Sequence, residues 1–471
     1  MRKASKAEIS RSGLARELLK RDDVQPEYAA PPGLTRRLVR DISRKKGEPD
    51  WMTDRRLRGL ELYLRTPLPD WGPDLSGLNL DDIVYYVRPK AGESQDWKSV
   101  PKEIRRTFDR LGIPESERHH LSGAGAQYDS EVVYHRLQEE WADRGVIFAN
   151  MDEAVRKYPD LVRKHFMTEC VPVSDHKFAM LHAAVWSGGT FIYIPPGVRL
   201  DLPLQAYFRM NAQKGGQFEH TLIIADRGSE VEYIEGCSAP RYDASSLHAG
   251  CVEIFVGEGA TVRYSSIENW SRNTYNLNTK RALVDGHGRI EWLSGNFGSG
   301  RTMLYPMSVL RGRKASSEGL GVVFAGPGQV LDIGSKVIHA APETSSVVNS
   351  RSISRGGGRA VFRGLVRAVG SADGSRSTVS CDALLLDGQS SAGAYPTVRA
   401  ECPTVEIAHE ATVGRLGEES LFYLMSRGLS EEEARKAMVS GFVRPFSRRL
   451  PLEYAVELER LLELEMERKV A

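Results

Sequence analysis

From about residue 170 to about residue 407, apolar and polar positions alternate. β-Branched and aromatic residues fill the runs between glycine-rich turns, so the stretch predicts one long all-β region. On the N-terminal side the period lengthens. "LARELLKR", "DWMTDRRLRGLELYLR", "SEVVYHRLQEEWADRG" and "MDEAVRKYPDLVRKHF" place apolar residues three or four apart among charges, which predicts short amphipathic helices, with Asp152 capping the last. Pro31, Pro32, Pro67, Pro69, Pro73 and Pro101 break the intervening chain into short pieces.

Helical spacing returns at the C-terminal end. "LFYLMSRG" closes on Gly428, Ser430 and Glu433 spell a capping box that opens "SEEEARKAMVSG", and Pro451 starts "PLEYAVELERLLELEMERKV". Leu452, Ala455, Val456, Leu462 and Met466 leave this last segment a wide apolar stripe that has to dock on the chain's own β-core or on a partner subunit. The division expected is a helical and irregular region over 1–165, a β-core over 166–407 and a C-terminal helical region over 408–471.

A weak repeat runs through the β-region. "GSEVEY" starts at Gly228, "GATVRY" at Gly259 and "GRIEW" at Gly288, spacings of 31 and 29 residues. Stacked as rungs of a solenoid, they bury Val231 and Tyr233, then Val262 and Tyr264, then Ile290 and Trp292, against one another. A parallel β-helix is the reading this favours. A large sandwich with similar turns stays open, because the apolar positions move from three and five residues after the glycine to two and four.

Composition adds mainly exclusions. The 471 residues are 41% hydrophobic and 27% charged, as in globular proteins, and 64 basic against 62 acidic residues leave a net charge of +2, which gives no reason to expect nucleic acid as a partner. No run approaches the roughly 18 apolar residues of a membrane span, and no apolar segment with a cleavage site opens the chain, so a cytoplasmic protein without a membrane partner is expected. The basic first 46 residues also carry Glu8, Glu17, Asp22 and Asp23, the pattern of a solvated helix-forming arm. Five cysteines at 170, 237, 251, 381 and 402 are odd in number and widely spaced, which predicts reduced thiols. No phosphate loop, GxSxG elbow or HExxH pair is present, so nucleotide hydrolysis by a P-loop is excluded.

Two places hold candidate chemistry. Cys237, followed by Ser238, Ala239 and Pro240, reads either as a thiol at a turn within reach of ligands or as a small buried apolar residue. His409 and Glu410 offer an imidazole and a carboxylate suited to iron, although neighbours on a strand face opposite sides.

Five blocks carry a family resemblance: "GAQYDSEVVYH" (125–135), "AVWSGGTFIYIPPGV" (184–198), "YIEGCSAP" (233–240), "CDALLLDG" (381–388) and "HEATVGRLGEESLFYLMSRGLSEEEA" (409–434). In these, over about residues 45–471, the chain resembles SufB of the SufB/SufD family, the scaffold side of the SUF iron–sulfur machinery. The resemblance implies a mainly β fold, a right-handed parallel β-helix between helical ends, in a scaffold that is not itself an enzyme. It also implies a SufC-type ABC ATPase bound by the C-terminal helices, a SufD-type paralogue or second copy of the chain, a cysteine desulfurase or sulfur shuttle, and apo acceptors of a transient iron–sulfur cluster of the 4Fe–4S type. Reduced flavin, the electron donor proposed for the family, leaves no fingerprint here.

Residue by residue, the resemblance makes Cys237 the sulfur acceptor and puts Arg209, Asn211, Glu268, Trp270 and Lys280 along a sulfur path. Glu268 departs from a glutamine found in some members and calls for pairing with Lys280. His409 and Glu410 match the assembly site, Cys237 is a further metal ligand and Cys381 a secondary thiol. Ser390 stands where some members have a ligand cysteine, and Ala408 where certain members have an acidic residue. Two other functions remain open: a SufD-like interaction subunit, and a β-helix enzyme acting on polysaccharide.

Overall fold

The computed structural model describes residue 22 and residues 24–110, 121–240, 242–450 and 452–467. The chain winds into a parallel β-solenoid flanked by helices. Along one wall, eight strands from Leu204–Arg209 to Glu406–Arg415 pair in parallel, in chain order. Gly123–Tyr128 adds a ninth in parallel, and Glu131–Leu137 closes that edge antiparallel. The facing wall stacks Gly189–Ile194, His220–Ala225, Cys251–Val256, Thr279–Val284 and Met307–Leu310, and continues through Val330–His339, Arg359–Ala368 and Ser391–Ala400.

The repeat predicted from sequence is the register observed. Val231 pairs with Val262 and that with Ile290, while Tyr233 pairs with Tyr264 and that with Trp292. The rings meet tilted and edge-to-face, at centroid distances of 5.8 and 5.3 Å, inside the solenoid, contacts worth about 0.5–1.5 kcal/mol each beyond their burial. In-register parallel pairing of segments about one coil apart rules out the sandwich, whose hairpin-linked strands pair antiparallel. The drift in the third repeat also has a cause. Gly228 and Gly259 are left-handed at φ +67° and +66°, but in the next coil His287 takes that role at φ +57°, one residue ahead of Gly288. Counted from the left-handed residue, all three repeats have the same spacing.

Strand alternation gives each wall a second face that helices must cover. Ile234, Ile267 and Leu293 pack against Val439, Phe446 and Leu461 of the helices Glu431–Ser447 and Leu452–Glu467. Ala455, Leu462 and Met466 of the C-terminal stripe therefore dock on the chain's own β-core, with Val456 left 57% exposed, while Phe422 and Tyr423 on Glu418–Ser426 face outward. On the facing wall, Leu222, Phe255 and Leu283 pack beneath Val162, Phe166 and Trp186 from the N-terminal half.

The strand Gly123–Tyr128 lies outside the 166–407 stretch expected to hold the β-core and Glu406–Arg415 runs past its end, yet both pair in parallel like the rest of their wall, while Glu131–Leu137, also outside, pairs antiparallel at the edge. The capping box at Ser430 and Glu433 is present, and Gly428 is left-handed at φ +96°. Asp152 does not cap its helix. Asn150 does, accepting from the Asp152 amide at 3.0 Å, because the Asp152 carboxylate is drawn 2.5 Å from the buried Lys46 ammonium. The "LARELLKR" helix and Pro451 lie outside the described residues.

Replacing Gly259, where an added Cβ meets nothing within 4 Å, isolates the backbone term. Gly259→Val is expected to cost about 1–2 kcal/mol through strain alone, and His287→Gly to cost nothing or to stabilise slightly. Thermal melts of the two variants check both.

Candidate functional site

Cys237 sits within the strand Glu230–Ser238, not at a turn beyond it. Alternation directs Val231, Tyr233, Glu235 and Cys237 to the lumen, and the thiol is 1% exposed. The turn-exposed reading of this cysteine is thus replaced by a buried one, since pairing with Phe208 and Glu268 on both sides continues the strand through Gly236 and Ser238.

The lumen around it is charged. Sγ lies 3.8 Å from Glu235 Oε1, and one oxygen each of Glu219 and Glu235 lies within 4.8 Å of it. Lys280, reaching in from the facing wall, donates to Glu268 Oε1 at 2.7 Å and to Ser266 Oγ at 3.1 Å, and stands 3.9 Å from Glu235 Oε1. Asn276 Nδ2 donates to Glu268 Oε2 at 2.5 Å, and Trp270 Nε1 reaches the same oxygen at 3.4 Å. His248 completes the chain, pairing through Nε2 with Glu219 and through Nδ1 with Asn276 Oδ1 at 2.9 Å, its ring 4.1 Å from that of Trp270.

Burial disfavours every charge in this cluster, so the partners decide which survive. For Glu268, burial is outweighed by Lys280 and His248, and its pKa falls; for Lys280, burial is outweighed by Glu268 and Glu235, and its pKa rises. His248 is likewise held charged, by Glu219, against burial. Three carboxylates face two cations, and the excess falls on Glu235, whose pKa burial raises. The Cys237 thiol is pushed well up by burial and then by Glu235, Glu268 and Glu219. At rest it is a neutral thiol whose hydrogen-bond partner is Glu235 Oε1.

Of the residues expected along the path, Glu268, Trp270 and Lys280 gather around Cys237. Arg209 and Asn211 belong to the same coil on its outer side: Arg209 Nη1 donates to Ser238 Oγ at 3.1 Å and Nε lies 3.4 Å from Asp22, while the Asn211 amide donates to Asp129 Oδ1 at 2.6 Å. The Asp129 carboxyl is itself raised to about 6, chiefly by burial. Asp129 and Asn211 line an open cleft of about 450 Å³.

His409 and Glu410 are not in this cluster. They lie on Glu406–Arg415, six strand steps along the wall, about 29 Å away at ~4.8 Å per step. His409 faces inward, its Nε2 3.8 Å from Cys381 Sγ, and Glu410 faces outward, accepting from Ser380 Oγ at 3.0 Å. Burial pushes the Cys381 thiol to about 12. Ser390, 7% exposed, accepts from the Gly357 amide at 3.2 Å. Sequence reasoning missed Glu235, Glu219, His248 and Asn276. Glu235 was legible as the residue two before Cys237 on the same strand face, whereas the others approach from different strands.

The protein is thus a parallel β-solenoid whose lumen holds a thiol among paired carboxylates and cations. Comparison with known proteins gives its family. Residues 208–442 match the family described as SUF system FeS cluster assembly, SufBD core domain, and residues 120–206 match the SufBD protein N-terminal region. The chain is similar to an iron–sulfur cluster assembly SufBD family protein of Staphylococcus haemolyticus, 52% identical over 440 residues, 93% of this chain and 94% of the relative. It is also similar to one of Staphylococcus aureus, 51% identical over 446 residues, 95% of this chain and 96% of the relative. The chain belongs to the SufBD family of iron–sulfur cluster assembly proteins. No helix among the described residues is long and apolar enough to cross a membrane.

Two outcomes follow from this geometry. Lys280→Met strands two buried carboxylates and is expected to cost roughly 3–5 kcal/mol, part of which returns in the Lys280→Met, Glu268→Gln double variant; melting temperatures of the three proteins check it. All five cysteines are buried, so iodoacetamide at pH 8 is expected to label Cys237 at least tenfold more slowly in the native chain than in denaturant, as read by mass spectrometry.

Proposed function

We propose that this chain is the SufB-type scaffold of its assembly system: it accepts sulfane sulfur on Cys237, gathers iron and passes a nascent cluster to apo-proteins. The observation that carries this reading is the position of Cys237 within hydrogen-bonding reach of Glu235, across from the Lys280–Glu268 pair. Glu235 takes the thiol proton. The Cys237 thiolate attacks the outer sulfur of a donor persulfide, the donor S–S bond breaks, a new S–S bond forms on Cys237, and the donor leaves as a thiolate. No electrons are gained or lost overall. Lys280 offsets the negative charge of the new persulfide, and Trp270 and Asn276 hold Glu268 away from it. The persulfide donor is a cysteine desulfurase or its shuttle.

Iron is the cargo met at the far end, where His409 and Cys381 offer nitrogen and sulfur donors on the inner face and Glu410 an oxygen donor on the outer face of the same strand. Such a mixed set, with Ser390 in place of a thiolate, suits loose ligation and release of a cluster of the 4Fe–4S type. The exposed Phe422 and Tyr423 support the docking of a SufC-type ATPase on the C-terminal helices. The last strands, Ser391–Ala400 and Glu406–Arg415, leave Tyr395, Val398 and Val413 exposed, which supports pairing there with a SufD-type paralogue or a second copy. A SufD-like subunit would need no sulfur acceptor, and the charged lumen around Cys237 argues for the scaffold.

The test is sulfur labelling of the separated chain by a desulfurase, followed by anaerobic reconstitution with its ATPase partner. Wild type is expected to carry persulfide and acid-labile sulfide, Cys237→Ser to lose at least nine-tenths of both, and His409→Ala to keep the persulfide but lose iron. Equal sulfur loading in Cys237→Ser would remove the assigned role.

A further inference from the structure

A second group of metal-ligating side chains lies outside the lumen, beneath the N-terminal helices. His220 and Cys251 begin two neighbouring strands and are direct cross-strand partners. Their side chains point away from the lumen, opposite in sense to Val252, into an apolar layer that includes Phe166 and Trp186. His182 descends onto them from the helix Lys177–Val185. One nitrogen from each histidine and Sγ of Cys251 all lie within 4.8 Å of one another, and none of the three residues is more than 1% exposed.

The surroundings orient these donors as a ligand set. His182 Nδ1 donates to the Ala249 carbonyl at 2.9 Å, which fixes the ring and leaves Nε2 to offer its lone pair. His220 Nδ1 stands 3.0 Å from that atom, and the His220 ring stacks on Phe166 at 3.9 Å. His220 Nε2 is fully buried and makes no hydrogen bond, yet Glu253 Oε2 lies 3.2 Å from it. Glu253 is held by the backbone amides of Met167 at 2.6 Å and Val171 at 2.8 Å. Two imidazoles and a thiol thus converge in a dry box, with the Glu253 carboxyl behind the far nitrogen of His220. Tetrahedral Zn²⁺ brings such donors to roughly 3.3–3.8 Å from each other, given metal–ligand bonds of ~2.0–2.3 Å.

Charge points the same way. Metal-free, the site must keep both the thiol and the carboxyl away from water. A divalent cation with one thiolate and one carboxylate sums to zero, and the two protons leave to solvent.

We propose that His182, His220 and Cys251 form a site for one borderline divalent cation, Zn²⁺ or Fe²⁺, with the Glu253 carboxylate held behind His220. The cation pins the helix Lys177–Val185 to two adjacent coils and so fixes the helical cover to the solenoid. This site is separate from sulfur acceptance, since Cys251 and Cys237 sit on opposite walls and opposite faces.

The experiment uses the full chain, stripped with chelator and titrated with Co²⁺, both folded and refolded in the presence of the ion. Wild type is expected to bind one Co²⁺ here, with tetrahedral d–d bands, a thiolate charge-transfer band, displacement by Zn²⁺ and a raised melting temperature. Cys237→Ser is expected to keep all of these. Cys251→Ser should lose the charge-transfer band, and His182→Gln should weaken binding at least tenfold while far-ultraviolet circular dichroism stays native. Absence of Co²⁺ binding by wild type in both preparations overturns the proposal and leaves the histidines as a hydrogen-bonded chain. A band lost in Cys237→Ser but kept in Cys251→Ser overturns it too, and moves the ion to Glu219, Glu235 and Cys237.

Discussion

The parallel register of the coils is the constraint on which everything else rests. Because each strand pairs residue for residue with the strand one coil before, an inward residue stays inward along the whole wall. Tyr233, Tyr264 and Trp292 form one column, and Cys237, Glu268 and Asn296 another. A slip of one residue would turn every column inside out, placing the Ile234, Ile267 and Leu293 face in the lumen and the carboxylates under the C-terminal helices. Hydrophobic burial on both faces of each wall therefore holds the charged lumen in place.

That lumen is expensive to build. Buried carboxylates and ammonium groups lose their hydration, and only close mutual pairing offsets the loss. Glu268 is satisfied by Lys280, Asn276 and Trp270, Glu219 pairs with His248 through one oxygen, and Glu235 meets Thr221, Lys280 and the Cys237 thiol. Lys280 is fixed there by Glu268 and Ser266, so a negative charge placed on the Cys237 sulfur would meet a cation already oriented.

The two ends of the solenoid are built differently. Around Cys237 the helices and the N-terminal strands close both outer faces, whereas at Glu406–Arg415 the last strands lie largely open, with Glu410, Val413 and Val398 outside. The sealed thiol of Cys237 and the half-open imidazole of His409 thus stand in different surroundings, six strand steps apart along one wall.

Local order was written in the sequence because it depends on neighbours in the chain. Alternation gave the strands, glycine spacing gave the coil length, and Ser430 with Glu433 gave a helix start, each a matter of a few residues. Val231, Val262 and Ile290 could even be aligned before the coil was known. What lies across the lumen or under the helices was not legible. Asp152 left its expected capping role because Lys46, 106 residues away, claimed it. The meeting of Glu268 with Lys280, and of His182 with His220 and Cys251, depends on coil width and on the path of the helical cover. Both are set by packing of the whole solenoid, and no local period carries that information.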